Sequence, residues 1–332
     1  MRRGGPTPAL LVLVGIGIHI AFVAVKLTSV PLTDLDVGHD GFYFSAQAED
    51  PFILDPSTAD TLGDWPAYRA ARIAFPLIAY PLALLAPPEL ALLMVQIAFV
   101  GLGVFGTARL AEQHGLSPTM GLAFAVLPAA LISTAALLAD GVAAAAVVWL
   151  IVKARETKPT AATLWGILAV LTKEAMLLPV AVVALGRWRS WSRRDSVVLL
   201  AAPAAIAGLW RIVLMLRLDG SGAGENLTWP FQGFYQVLTD VWLPFGLWAD
   251  LTAGTLTMLL AVGAIFLFAR SWREPLSSAA IGLSAGLFVV SSLVLDLRWN
   301  SLRIAGPLFL LLLIHALAMR PTDDGRMIPA TP

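Results

Sequence analysis

Long apolar runs alternate with short polar segments along most of the chain. A helix that crosses a bilayer needs about 20 apolar residues, within a range of about 17–25. Runs of that kind cover 8–28, 90–111, 119–139, 197–217, 251–269, 276–295 and 304–319. A shorter run, 141–152, lies between Asp140 and a basic stretch holding Lys153, Arg155 and Lys158. It is expected to return the chain to the basic side, which makes about eight full spans.

Two apolar segments, 73–86 and 162–186, fit less simply, and the excess of Lys and Arg expected in cytoplasmic loops resolves them. With Arg2 and Arg3 in the cytoplasm, 73–86 is expected to enter from the outer side without crossing. Residues 162–186 are expected to form a broken hairpin that enters and leaves on the cytoplasmic side. The inner loops then carry Arg109, Lys153, Arg155, Lys158, Arg187, Arg189, Arg193, Arg194, Arg270 and Arg273. The outer loops carry Arg69, Arg72, Arg298 and Arg303. A single crossing by 162–186 would put the run RWRSWSRR outside, against the rule. The first apolar run is read as a signal anchor rather than a cleaved signal peptide, because no small-residue cleavage site follows it closely.

Composition agrees with this pattern. The 332 residues are 58% hydrophobic and 13% charged, whereas a soluble domain is about half apolar and a quarter charged. The mean hydropathy is +0.80. Lys and Arg total 22 and so do Asp and Glu, so no overall field favours nucleic acid as a partner. The absence of cysteine excludes disulfides, thiolate metal sites and a cysteine nucleophile. No internal repeat is visible. The expected fold is all-α: a polytopic membrane helical bundle with broken or half-inserted helices, one domain over 1–320, and a short disordered tail over 321–332. The expected location is the plasma membrane, with both termini cytoplasmic and the lipid bilayer as surroundings.

The acidic residues sort to the opposite side from the basic ones. The outer loop 29–72 holds Asp34, Asp36, Asp40, Glu49, Asp50, Asp55, Asp60 and Asp64. The loop 218–250 holds Asp219, Glu225, Asp240 and Asp250, together with aromatic residues suited to a membrane interface. Asp140 also faces out. Acidic residues contribute little to orientation, so their segregation reflects either solvated loops or a site on the outer face. Asp40 is placed as a loop acid or as the N-cap of a helix over 41–49. Asp50 is placed to turn the chain before Pro51. Arg69 and Arg72, three apart, would share a helix face. Lys173 and Glu174 interrupt an apolar segment, where a charge facing lipid costs about 2.5–3.5 kcal/mol. Asp140 is a helix-end cap or a second carboxylate of the outer cavity. Arg211 and Arg217 are expected to snorkel to the outer interface. His19 is read as a satisfied bundle residue rather than a ligand.

Several stretches resemble bacterial members of the GT-C superfamily, polytopic glycosyltransferases that take sugar from a polyprenyl-phosphate carrier at the outer face. Their first outer loop reads Asp-Gly-x-Phe-Tyr-Tyr, then Asp-Pro-Phe, then Tyr-Arg-x-x-Arg-Ile. The chain has Asp40-Gly41-Phe42-Tyr43-Phe44, Asp50-Pro51-Phe52 and Tyr68-Arg69-Ala70-Ala71-Arg72-Ile73 with Pro76 following. Leu171-Thr172-Lys173-Glu174 is similar to their Leu-Thr-(Lys/Arg)-Glu, and Arg303 precedes Pro307 in the last run. Phe42, Phe44 and Ser45 depart from the pattern.

The resemblance implies a membrane glycosyltransferase that moves sugar from a polyprenyl-phosphate donor to a cell-envelope glycan, lipid or protein acceptor. It implies Asp40 as the carboxylate that orients or deprotonates the acceptor hydroxyl. Arg69, Arg72 and Lys173 would neutralise the carrier phosphate. Tyr43, Asp140, Glu174, Arg298 and Arg303 are the further candidate substrate-binding residues. A divalent metal is compatible with this chemistry, with Asp34 and Asp36 as candidate ligands, although no His/Asp/Glu set has recognisable metal-ligand spacing. Two rival readings stand beside it: a transporter or lipid flippase, for which broken helices and intramembrane charges are also the signature, and a non-catalytic cell-envelope scaffold.

Overall fold

A computed structural model describes residues 6–35, 40–63, 66–218, 246–288, 298–321 and 327–329. Helix dominates the described residues. In order these are α1 (Pro8–Leu27), α2 (Gly41–Glu49), α3 (Pro56–Thr61), α4 (Pro66–Arg69), α5 (Ala74–Ala83), α6 (Pro88–Gln113), α7 (Leu122–Ala125), α8 (Pro128–Ala136), α9 (Asp140–Arg155), α10 (Pro159–Thr172), α11 (Leu177–Arg187), α12 (Arg193–Arg217), α13 (Gly246–Ala269), α14 (Pro275–Phe288) and α15 (Arg298–Ala318).

The centre of the molecule is α9. Every residue from Asp140 to Val152 is buried. Its sequence, rich in Ala and Val, has no polar face to turn outward, and a helix apolar all round belongs in a core or a membrane. Small side chains at Gly141 and Ala143–Ala146 let α6, α8 and α10 come close. The same cluster takes in Phe75, Phe124 and Phe268, all fully buried. A second, small cluster of Ile53, Leu62, Ala67, Ala70 and Leu214 joins the segment after α2 to the end of α12.

Side-chain contacts fix how the helices run. α9 starts at Asp140, which pairs with Lys173 at the end of α10. At the other end of α9, the Ala154 carbonyl accepts from Arg187 Nη2 of α11 at 2.7 Å. α10 and α11 therefore form a hairpin with both outer ends at one end of the bundle and Lys173 at the tip. Lys173 itself is extended (φ −157°, ψ 114°), which stops α10 before a short 3₁₀ turn at Glu174–Met176 begins. The hairpin ends share their end of the bundle with the last turn of α6, where the Gln113 carbonyl accepts from Arg155. They share it also with Glu274, just before α14, which pairs with Arg155 and lies 3.7 Å from His114 Nε2. Hereafter this is the basic end. The opposite end carries Asp40, Arg72, Asp140, Lys173, Glu174 and Arg303, joined by ion pairs.

Among the described residues three helices, α1, α6 and α12, are long and apolar enough to cross a membrane, and α7 with α8 makes a fourth if that pair is one span. The run 119–139 is not a single straight helix: it bends by 44° between Ala125 and Pro128. Proline cannot donate to the preceding turn, and the residue before it avoids the helical region. The carbonyls at the end of α7 then need other donors. His19 of α1 supplies one: Nε2 donates to the Ala125 carbonyl at 2.8 Å, and Nδ1 lies 2.8 Å from the Thr134 hydroxyl. Residues 73–86 give α5, a 10-residue helix with Pro81 inside it. Apolar runs 162–186 and 276–295 give shorter helices over their described residues. At the C-terminal end, Met319–Pro321 pairs antiparallel with Met327–Pro329 where the sequence suggests irregular chain.

Candidate functional site

Six charged side chains from five separate segments meet at one end of the bundle. Arg72 is the hinge. Its Nη1 donates to Asp40 Oδ2 at 2.8 Å, its Nε lies 3.4 Å from Glu174 Oε2, and its Nη2 donates to the Tyr68 hydroxyl. Glu174 is joined through the chain to Lys173, whose ammonium pairs with Asp140 Oδ1. Arg303 of α15 lies with Nε 3.3 Å from Asp140 Oδ2, as an ion contact without an aligned hydrogen bond. Exposure falls along this line: the side chains of Asp40 and Glu174 are 42% and 37% exposed, that of Asp140 10%. The three carboxylates thus grade from half-exposed at the mouth to nearly buried at the base, while the three cations are alike at 15–16%.

Each charge is held by local structure. Asp40 occupies the N-cap position of α2, and its carbonyl accepts from Tyr43 N and Phe44 N at 3.1 and 3.2 Å. Its side chain makes no cap hydrogen bond. The carboxylate that would satisfy the first turn of α2 is turned to Arg72 instead. Arg72 is aimed by the chain break after α4. The Ala70 carbonyl accepts from buried Gln47 Nε2 of α2 at 3.1 Å and from Trp210 Nε1 of α12 at 3.0 Å. Those two donors end α4 at Arg69 and send Arg72 inward.

Asp140 follows a left-handed residue, Leu137 (φ 51°, ψ 44°). A branched side chain in that region costs of order 1 kcal/mol or more. The surroundings over-determine it. Leu137 is fully buried, Leu138 N donates to the Ser133 carbonyl at 2.9 Å, and the Leu138 carbonyl accepts from Gln96 of α6. Gly141 N then donates to Ser133 Oγ at 2.9 Å. Arg303 is brought in by the close approach of α15 to α8, where a Cβ on Gly306 would meet Ala129 N at 3.3 Å. Gln96 lies eight residues into α6, so the base of the site sits roughly 12 Å below the start of that helix. It lies roughly 22 Å above the basic end, measured along α9.

Of the residues singled out from sequence, Asp40, Arg72, Asp140, Lys173, Glu174 and Arg303 come together here. Arg69 does not share a helix face with Arg72, because α4 stops at Arg69. Its guanidinium lies 3.7 Å over the ring of Tyr43 and donates to the Leu62 carbonyl. Tyr43, also in edge contact with Phe42, is therefore a support for Arg69 beside the mouth. Asp34 sits in a 3₁₀ turn with its carboxylate taking the Thr33 hydroxyl at 3.1 Å. Asp36 and the side chain of Arg298 lie outside the described residues, as do residues 219–245 of the loop 218–250. Among the described residues no group of three or more His, Asp or Glu is arranged to hold a metal ion.

Two members of the site escape the sequence reading. Tyr68 bridges Arg72 and Arg211, whose guanidinium carbons lie 5.1 and 5.9 Å from its ring centroid. Burial pushes its phenol up, against the pull of Arg72. Arg211 does not snorkel. It faces Tyr68, and its Nη2 is buried without a hydrogen-bond partner. Arg217 likewise turns to the protein and donates to the carbonyls of Phe52 and Ile53 at 2.9 Å. Tyr68 opens the Tyr-Arg-x-x-Arg-Ile stretch of the resemblance and stands four residues before Arg72, and neither signal gave it a role in the site.

Each cation of the cluster faces a carboxylate, so its charges balance. Cations at the base neutralise charge in a low-dielectric setting, where they act more strongly than in water. A carboxylate at the mouth can accept a proton. Comparison of the chain with known protein families and with curated proteins finds no match.

Proposed function

We propose that the chain is an integral-membrane glycosyltransferase of GT-C type, which moves a sugar from a polyprenyl-phosphate carrier to a cell-envelope acceptor at the extracytoplasmic face. The observation that supports this most is the joining of Asp40, Arg72 and Glu174 to Asp140, Lys173 and Arg303 at the end of the bundle opposite the basic loops. By the positive-inside rule the basic end faces the cytoplasm, which makes the ionic site extracytoplasmic. In this reading Arg72 and Lys173 take the carrier phosphate, with Arg303 completing the charge around it. Arg72 then gives up Asp40, which is freed to orient or deprotonate the acceptor hydroxyl. The phosphate leaves with the electron pair of the glycosidic bond, and the cations stabilise it as it goes.

The test is transfer by purified protein reconstituted in liposomes with a polyprenyl-phosphate sugar. Asp40→Asn should lower transfer by about 10²–10⁴-fold while the thermal unfolding midpoint stays near that of the parent. Full activity in that variant removes Asp40 from the role. A second reading, a flippase for a lipid-linked anion, draws on the site's place at the helix breaks 137–140 and 173–176. Flux of the lipid across sealed vesicles without any sugar transfer would decide for it.

A further inference from the structure

The basic end holds two turns that are far apart in sequence and adjacent in space. One, between α11 and α12, reads RWRSWSRR over 187–194; the other, between α13 and α14, reads RSWRE over 270–274. Gly186, the penultimate residue of α11, brings them together: a Cβ there would meet the Trp272 carbonyl at 3.1 Å and Arg273 Cα at 3.4 Å. Only a glycine allows this approach.

Five basic side chains at this end are committed. Arg109 pairs with Glu112, Lys153 and Lys158 with Glu156, and Arg155 with Glu274. Arg187 donates to the Ala154 carbonyl. Arg189, Arg193, Arg194, Arg270 and Arg273 are different. All five are exposed, and among the described residues none has a carboxylate partner. The nearby Asp195 is occupied by the Ser192 hydroxyl at 2.7 Å. Arg193 and Arg273 rest beside the exposed rings of Trp188 and Trp272, at 5.9 and 5.4 Å. Three buried donors in or beside the first turn also lack acceptors: Arg187 Nε, Trp191 Nε1 and, in the first turn of α12, Ser196 Oγ. Exposed Leu185, Val197 and Val198 continue the surface away from the arginines as apolar helix.

We propose that these two turns form one binding site for the headgroup of an anionic phospholipid in the adjoining leaflet. The chemistry asked for is an acceptor-rich anion attached to acyl chains. Guanidinium groups bind phosphodiester oxygens in planar pairs, indole rings sit at the headgroup level, and the apolar helix faces take the chains. The site is independent of the reaction proposed for the opposite end.

The test is native mass spectrometry of delipidated protein in detergent, with phosphatidylglycerol or phosphatidylcholine of the same acyl chains added at equal concentration. Phosphatidylglycerol should be retained about tenfold more. The double variants R193Q/R194Q and R270Q/R273Q change exposed side chains only, and each should lose most of that preference. Equal retention of the two lipids by the parent overturns the proposal, as does an unchanged preference in either double variant. Inorganic phosphate or glycerol 3-phosphate, added in the same amount, should not displace the lipid; displacement would show a site for the free anion and not for the lipid.

Discussion

Asp40 and Asp140 are both aspartates in the same ionic network, and their surroundings give them different tasks. Asp140 is a nearly dry carboxylate between Lys173 and Arg303. Removing its charge leaves two cations in a low-dielectric core with nothing opposite them. Asp140→Asn should therefore cost about 3–5 kcal/mol, read as a lower unfolding midpoint in detergent. Asp40 has one guanidinium partner and a side chain 42% exposed. Its replacement by Asn should cost less than about 1 kcal/mol. The contrast separates a structural anion from one that is able to act. Asp140 was legible in the sequence as an acid at the end of an apolar run, whereas Asp40 stood out from its acidic neighbours only through the resemblance. What the sequence hid was the direction of Arg69, because the donors that end α4 before Arg72 come from Gln47 and Trp210, one of them 140 positions away.

At the scale of elements, breaks carry most of the information. The break at Lys173 was visible as a charged pair inside an apolar run. The turn at Leu137 was not, since leucine is a poor residue for positive φ and only its packing reveals why it is tolerated. The bend between α7 and α8 had Pro128 as a signal, masked by an unbroken apolar stretch. His19 makes that bend affordable. Replacing it by Leu, of similar bulk, leaves the Ala125 carbonyl buried and unpaired and should cost about 1–3 kcal/mol, measured as a fall in unfolding midpoint.

The turn before α14 responds to pH. Burial works against a charged Glu274, but the His114 ring 3.7 Å away, the neighbouring Arg155 and the backbone N–H of Ser277 together hold its carboxyl below the usual carboxylate range. A depressed acid stabilises the fold above its unfolded pKa of about 4.3, and loses that contribution as pH falls through the folded value. The link from α14 to α6 and α9 should thus loosen in acid. Glu274→Gln should already be loosened at neutral pH and show a flatter stability profile below about pH 4. Thermal unfolding across pH in parent and variant measures both.

For the whole molecule, apolar runs predicted a helical membrane protein, and the helices agree. They did not fix how many runs cross. Among the described residues, length and composition qualify α1, α6 and α12, with α7–α8 as a bent fourth. The sorting of basic charge was legible in part at this scale: the exposed arginines of 187–194 and 270–274 collect at one end, although Glu112, Glu156 and Glu274 share that end and Arg72, Lys173 and Arg303 sit at the other. Contact between those ends and particular partners was not, because pairs such as Arg72 with Glu174, 102 positions apart, are made by topology.

Those separations also set an order in time. Asp40 and Arg72 are 32 positions apart, and Asp140 and Lys173 are 33 apart. At synthesis rates of about 5–20 residues per second, each acid waits roughly 2–7 seconds for its base to emerge. The two nearest pairs can close while the chain is still growing, and Glu174, made one residue after Lys173, links them on arrival. Arg303 comes last. Between the synthesis of Lys173 and that of Arg303 the protein carries Asp140 with Lys173 alone, so chains halted after α11 should already hold that pair, and the double variant D140C/K173C should crosslink in them as well as in the finished protein.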